Sequence, residues 1–140
     1  MTLTRLATDT RPPFVGIILA AGAGSRMAPF SEQYPKPILP VCNKPLIQYQ
    51  IELMRSMGIV VLIGHRGFEI TKVFGDGRQL GVRLRYVEQR QMLGIAHAVG
   101  CLERHIDRPF LLFLGDIFFE AKDLSPMFEL FREQGGGAVL

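Results

Sequence analysis

Gly16–Pro40, GIILAAGAGSRMAPFSEQYPKPILP, is the stretch from which the rest of the chain can be read. The apolar run Phe14 to Ala20 ends abruptly in Ala21-Gly22-Ala23-Gly24-Ser25-Arg26. A short apolar run bounded by glycines suits a strand buried on both faces. Two alternate glycines at its end permit a sharp turn and leave no side chain in the path of an incoming group. Successive backbone N–H groups in such a turn form an anion-binding concavity. Ser25 adds a hydroxyl, and Arg26 adds a planar fork of donors that fits phosphate through two bonds. Lys36 stands between Pro35 and Pro37, which predicts a stiff, extended backbone around it. One strand end thus carries the parts of a polyphosphate site.

Two familiar phosphate loops do not fit. A P-loop requires Gly-Lys-Ser/Thr after its second glycine, and Gly24 is followed by Ser25-Arg26. A dinucleotide fingerprint requires a third glycine where Met27 stands. Composition alone leaves a plain alternative open, a glycine turn with incidental basic neighbours.

The stretch resembles the signature of the sugar-nucleotide pyrophosphorylases, the nucleotidyltransferases of sugar 1-phosphates. Their pattern LAGGxGTRLxP, a short variable loop, then PKPLLPVxxKPLI and a helix ending in Gly-Ile, stands here without a gap. The chain reads LAAGAGSRMAP, FSEQY, PKPILPVCNKPLI and QYQIELMRSMGI. Weaker matches follow in IGHRGFEI, FGDG, GVRLRYVEQ, LGIAHAV and FLGDIFF. Cytidylyltransferases of isoprenoid synthesis share the glycine turn, the arginine and the lysine, but not the proline-bracketed PILPVCNKPLI.

Length and composition frame this reading. The 140 residues suffice for one domain with a real core, and 48% hydrophobic against 21% charged residues is ordinary for a globular protein. The net charge of +3 is scattered, and no basic run suggests nucleic acid. Cys42 and Cys101 are far apart and read as reduced, buried thiols of a cytoplasmic protein. Residues 1–13 form an N-terminal extension without a hydrophobic signal core, and no apolar run is long enough for a membrane span.

Beyond the signature loop, strand and helix alternate. Asn43 is expected to cap a helix with Lys44 and Pro45 in its first turn. Leu46, Ile47, Gln50, Leu53, Met54 and Met57 continue that helix, and Gly58 ends it. Ile59 to Ile63 reads as a buried strand, Phe68 to Phe74 as a short helix, and Gly75-Asp76-Gly77 as a turn. Val82 to Val87 alternates like a strand with one polar face. Gly94 to His105 is expected to be helical, Phe110 to Leu114 a strand ending at Gly115-Asp116, and Leu124 to Glu133 a helix. Ala138 to Leu140 resembles the start of a further strand. Strands separated by helices predict an α/β, doubly wound, mostly parallel Rossmann-like sheet. The resemblance implies that residues 14–140 are the N-terminal part of a nucleotidyltransferase domain.

In such a sheet, ligands bind beyond the carboxyl ends of the strands at a topological switch point. Asp116 ends the fourth long strand and would face the phosphate loop if that strand lies beside the first. Gly-Asp after a strand is also a common cap; the match of Leu114-Gly115-Asp116 to the family's LGD implies a ligand of Mg²⁺ instead. Gln89 follows a strand end, where an amide offers one donor and one acceptor. That pair fits uracil, thymine or guanine, and a flipped amide fits adenine or cytosine. The Gln89 position with the following LGIAHA is similar to the thymidylyl- and uridylyltransferase branches, which places Gly94 close to the base. None of the histidines His65, His97 and His105 has a partner at metal-ligand spacing. Lys44 suits a ligand contact or an ordinary surface equally.

The resemblance implies transfer of a nucleotidyl group from dTTP or UTP to a sugar 1-phosphate, with Arg26, Lys36 and Asp116 catalytic. Ala21, Gly22, Ala23, Gly24, Ser25, Gln89 and Gly94 would bind the nucleotide, and Asp116 would bind the metal. A nucleoside triphosphate and a sugar 1-phosphate are the expected partners, without nucleic acid or membrane; assembly as a homo-oligomer stays open. In the family the catalytic domain continues with a second metal-binding aspartate and a lysine for the sugar phosphate. The expectation is therefore a fragment that binds nucleotide without turnover; the alternative is a catalytically silent nucleotide-binding or regulatory module.

Overall fold

The computed structural model describes residues 12–22 and 33–138. In chain order it contains β1 (Val15–Ala20), a 3-10 turn (Lys36–Ile38), β2 (Pro40–Val41), β3 (Lys44–Pro45) and α1 (Leu46–Leu53). There follow β4 (Gly58–Ile63), α2 (Gly67–Phe74), β5 (Arg83–Glu88), α3 (Ile95–Gly100), β6 (Phe110–Leu114) and α4 (Ser125–Glu133). Four strands form one sheet in the order β5-β4-β1-β6, and each pair is parallel. The chain steps outward from β1 to β4 and β5, then crosses back to place β6 on the other side of β1. That reversal makes the gap between the ends of β1 and β6 the switch point, where Leu19 lies opposite Leu114.

The sheet is covered on both faces, which explains why its inner strands read as unbroken apolar runs. Ile18, Ala20, Ile59 and Val61 pack on one side with Ile47 and Ile51 of α1 and Ile70 and Phe74 of α2. Val15, Ile17, Val60 and Leu62 pack on the other with Ala98 and Leu102. Ile17, Ile18, Ile59, Val60, Val61 and Leu62 are all 0% exposed, and burying each such side chain stabilises the fold by about 1.5–3 kcal/mol. β5 lies at the edge and alternates buried Leu84 with exposed Arg83 and Arg85, as its sequence predicts.

Several local expectations are corrected. The helix that begins at Leu46 stops at Leu53 rather than continuing to Met57, and Gly58 opens β4 instead of ending the helix. Asn43 does not cap a helix. Cys42 and Asn43 have φ of 49° and 62° and form the turn of a small antiparallel ladder in which Val41 pairs with Lys44. Consecutive left-handed residues match the twist of a two-residue hairpin, a conformation asparagine accepts readily. The same turn exposes Cys42, and Cys101 is only partly buried, so neither is the buried thiol expected. The Gly94–His105 helix is shorter, stopping at Gly100 before a separate 3-10 turn at Glu103–His105; glycine is a poor helix former. Lys36 is braced but not extended. The extended backbone ends at Pro35, with ψ of 141°, and Lys36 opens a 3-10 turn closed by Leu39 N–H donating to its carbonyl. Pro37 fits inside that turn because its bonds use the N–H groups of Ile38 and Leu39.

Glycines flank the end of β1 on both sides. A Cβ on Gly64 would stand 2.7 Å from the carbonyl oxygen of Ala21, and one on Gly115 3.0 Å from that of Leu19. Gly64→Ala is expected to cost about 1–3 kcal/mol, because one backbone must move away from the other. A lower denaturation midpoint at unchanged slope is the expected measurement. An unshifted midpoint would contradict this packing.

Candidate functional site

A cleft of about 320 Å³ opens where the chain leaves the carboxyl ends of β1, β5 and β6. Ala21 and Gly22 form its wall at the β1 end, Lys36 enters from the 3-10 turn, Asp116 from the turn after β6, and Gln89 and Gly94 from the loop between β5 and α3. Six of the residues singled out in the sequence therefore line one cavity. Ala23, Gly24, Ser25 and Arg26 lie outside the described residues.

Lys36 Nζ is 3.8 Å from Asp116 Oδ2, with the lysine side chain 22% and the aspartate 50% exposed. That separation is too long for a hydrogen bond, and such a partly solvated pair stabilises the fold by only about 0–1 kcal/mol. The ammonium and the carboxylate stand side by side without being locked together. One can meet a phosphate oxygen and the other a cation. Among the described residues no cluster of three His, Cys, Asp or Glu side chains could enclose a metal ion. A single half-exposed carboxylate fits magnesium, which often takes one or two carboxylates and completes its shell with phosphate oxygens and water.

The turn carrying Asp116 is held from behind. Gly115 N–H donates to the Leu19 carbonyl at 2.8 Å, and Ile117 N–H to that of Leu114 at 3.2 Å. Gln50, on α1 and 2% exposed, donates from Nε2 to the carbonyls of Leu114 at 2.8 Å and Ile117 at 2.9 Å. Its Oε1 is buried without a partner among the described residues. Its spacing puts Gln50 on the helical stripe and by itself assigns it no further role. The available signal was an amide among isoleucines and methionines on a buried face, where an unpaired polar group is costly.

Gln89 follows β5, and its N–H donates to the Ile63 carbonyl at 2.7 Å, extending the parallel ladder by one bond. It is not a solvated loop residue. It is 6% exposed, and its Nε2 lies 3.0 Å from His97 Nδ1. Gly94 precedes α3 with φ of 91° and ψ of 178°, which a residue with a Cβ rarely adopts. Met92 and Ile95 line the same cleft with 53% and 60% of their surfaces exposed. Such apolar surface beside an amide suits a flat heteroaromatic ring.

Lys44 is drawn elsewhere. Its Nζ donates to Glu52 Oε2 at 2.8 Å and lies 4.6 Å from the centre of the Tyr49 ring. The hydrogen bond from Lys44 is the main reason the Glu52 carboxyl is held below its ordinary value of 4.5. Lys44 thus braces the hairpin against α1. No described helix is long and apolar enough to cross a membrane.

Comparison with known proteins bears on this arrangement. A low-salt glycan biosynthesis nucleotidyltransferase of Haloferax volcanii is 41% identical over 106 residues, covering 72% of this chain and 30% of that protein. A UTP–glucose-1-phosphate uridylyltransferase of the same organism is 37% identical over 75% of this chain and 44% of its own length. A glucose-1-phosphate thymidylyltransferase of Streptomyces griseus is 34% identical, covering 73% of this chain and 30% of that enzyme. Among solved structures, UDP-glucose pyrophosphorylase complexed with UDP-glucose superimposes with a TM-score of 0.74 at 26% identity, over 89% of this chain and 55% of that one. The chain spans less than half the length of these three relatives. Residues 15–140 match the model of the nucleotidyl transferases, and the chain belongs to that family.

Proposed function

We propose that this chain contributes the nucleotide-binding half of an enzyme that transfers a nucleotidyl group from dTTP or UTP to a sugar 1-phosphate, releasing pyrophosphate. The observation that carries the proposal is the shared cleft, in which Lys36 and Asp116 stand side by side and Gln89 and Gly94 line the same space. The names of the thymidylyl- and uridylyltransferase relatives support the same substrate classes.

An oxygen of the sugar phosphate attacks the α-phosphorus in line, the bond to the bridging oxygen breaks, and pyrophosphate leaves. Such transfer needs positioning and charge stabilisation rather than a protein nucleophile. Backbone amides of Ala23 to Ser25 hold the triphosphate, Arg26 the departing pyrophosphate, and the Lys36 ammonium the charge around the α-phosphorus. Gln89 reads the base edge, and the bare backbone of Gly94 lets the ring approach. Asp116 would hold Mg²⁺, which when bound supplies Lewis-acid polarisation of phosphate oxygens. In this reading residues 14–140 are the N-terminal part of the catalytic domain, working in the cytoplasm on freely diffusing nucleotides.

Calorimetric titration with dTTP, UTP, GTP and ATP, with and without Mg²⁺, tests the proposal. Tighter binding of dTTP or UTP in the presence of Mg²⁺ is the expected result. Binding indifferent to both metal and base would overturn it. Arg26→Lys keeps the charge but loses the two-pronged contact. A lost charge-assisted bond is worth about 1.5–3 kcal/mol, so affinity is expected to fall roughly ten- to a hundredfold.

A further inference from the structure

The Gln89 amide has two ends, and the fold treats them differently. Gln89 lines the cleft, whereas His97 is not among the residues lining it and stands on α3 behind the amide. Nε2 of Gln89 lies 3.0 Å from Nδ1 of His97. With the amide nitrogen facing the ring, Nδ1 accepts and the imidazole proton sits on Nε2; the opposite tautomer would turn the amide oxygen to the ring instead. His97 itself is held in place: its carbonyl accepts from Cys101 N–H at 3.0 Å, and its neighbour Ala98 is buried and bonded back to Gly94.

We infer that His97 is a specificity-setting positioning residue. Carrying its proton on Nε2 and accepting from the Gln89 amide nitrogen at Nδ1, His97 fixes which end of the amide turns towards it and so selects uracil or thymine over cytosine. This inference rests on the nucleotide-binding reading above and deepens it. With one Nε2 hydrogen committed to His97, the carbonyl oxygen and the second Nε2 hydrogen are left for the base in a fixed order. Uracil and thymine present N3–H beside a carbonyl, which complements an acceptor followed by a donor. Cytosine presents a bare N3 beside an amino group, so the same fixed amide opposes acceptor to acceptor and donor to donor. An unheld amide turns over and takes either base, which is the ambiguity a glutamine in sequence leaves open. The burial of Gln89 makes a mismatch costly, because water has little access to the unpaired groups.

The test titrates UTP and CTP into the unaltered protein and into His97→Phe and His97→Asp. The parent is expected to prefer UTP by roughly ten- to a hundredfold, the span of one or two mismatched hydrogen bonds. His97→Phe, which keeps a ring and removes the acceptor, is expected to lose most of that preference by gaining CTP affinity. His97→Asp, whose carboxylate can only accept from the Gln89 amide nitrogen, is expected to keep it. Nitrogen-15 histidine spectra of the parent should show the His97 proton on Nε2. An equal loss of both nucleotides in His97→Phe would mark a merely structural role and overturn the inference, as would an unchanged preference or a proton on Nδ1. A parent that binds neither nucleotide would instead overturn the proposed function, and this inference with it.

Discussion

Asp116→Asn is expected to erase the gain in triphosphate affinity that Mg²⁺ provides while leaving metal-free binding as tight as in the parent, or tighter. Two charges explain the opposite signs. The Asp116 carboxylate stands 3.8 Å from Lys36 Nζ and is half exposed, so it both partially satisfies the ammonium and repels an incoming triphosphate. Asparagine removes the repulsion and frees Lys36 for phosphate, which favours binding without metal. It also removes the carboxylate assigned to the cation, and a neutral amide oxygen is a much weaker ligand for magnesium. The metal-dependent increment is taken as one charge-assisted contact, about 1.5–3 kcal/mol, so roughly ten- to a hundredfold in affinity should vanish. Titrations of the parent and the variant with and without Mg²⁺ measure it. If the asparagine variant keeps the parent's Mg²⁺ gain, the cation is held elsewhere and the role given to Asp116 is wrong.

The elements that the sequence made legible are those whose cause is local. β1, β4 and β6 are short apolar runs because both faces of the sheet are covered, and glycines mark where the chain must leave it. The turn at Gly75-Asp76-Gly77 and the helices before it and at Ser125–Glu133 follow from spacing and breakers in the same way. The hairpin at Cys42-Asn43 was misread because the residue types that cap helices are also those that tolerate left-handed turns. The site divides along the same line. Lys36, Asp116, Gln89 and Gly94 stand at strand ends or in glycine- and proline-marked loops, where a motif can point to them. Gln50 and His97 stand inside helices, and their importance comes from partners that tertiary packing supplies. An amide's spacing in a helix says that it faces the core; it does not say which carbonyl waits there.

Gln50→Glu is expected to be the most destabilising of these substitutions, with an effect that depends on pH. The exchange is nearly isosteric, so packing is preserved and only the chemistry changes. In the parent, Nε2 satisfies the carbonyls of Leu114 and Ile117 at 2.8 and 2.9 Å, deep within the fold. An ionised glutamate would oppose both carbonyls with a charged oxygen and leave them unpaired. Each unsatisfied buried group costs about 1–3 kcal/mol, which gives a loss of roughly 3–5 kcal/mol at neutral pH. That is a large share of the ~5–15 kcal/mol that holds a domain of ordinary stability. Burial and the two carbonyls raise the folded pKa of this glutamate above its unfolded value near ~4.3. Below the unfolded value the acid is neutral in both states and can donate to one carbonyl, so the deficit is small. It grows as pH rises from the unfolded towards the folded pKa and levels off above it. Gln50→Met, which loses the same bonds without adding a charge, should show a smaller deficit that does not change with pH. Denaturant unfolding of parent and both variants at about pH 4 and pH 7 separates these cases. A pH-independent deficit in Gln50→Glu would mean that the side chain reaches water. In that case Gln50 does not hold the Asp116 turn from within the core, and the half-exposed carboxylate beside Lys36 owes its position to the β6 end and the backbone bonds Gly115–Leu19 and Ile117–Leu114.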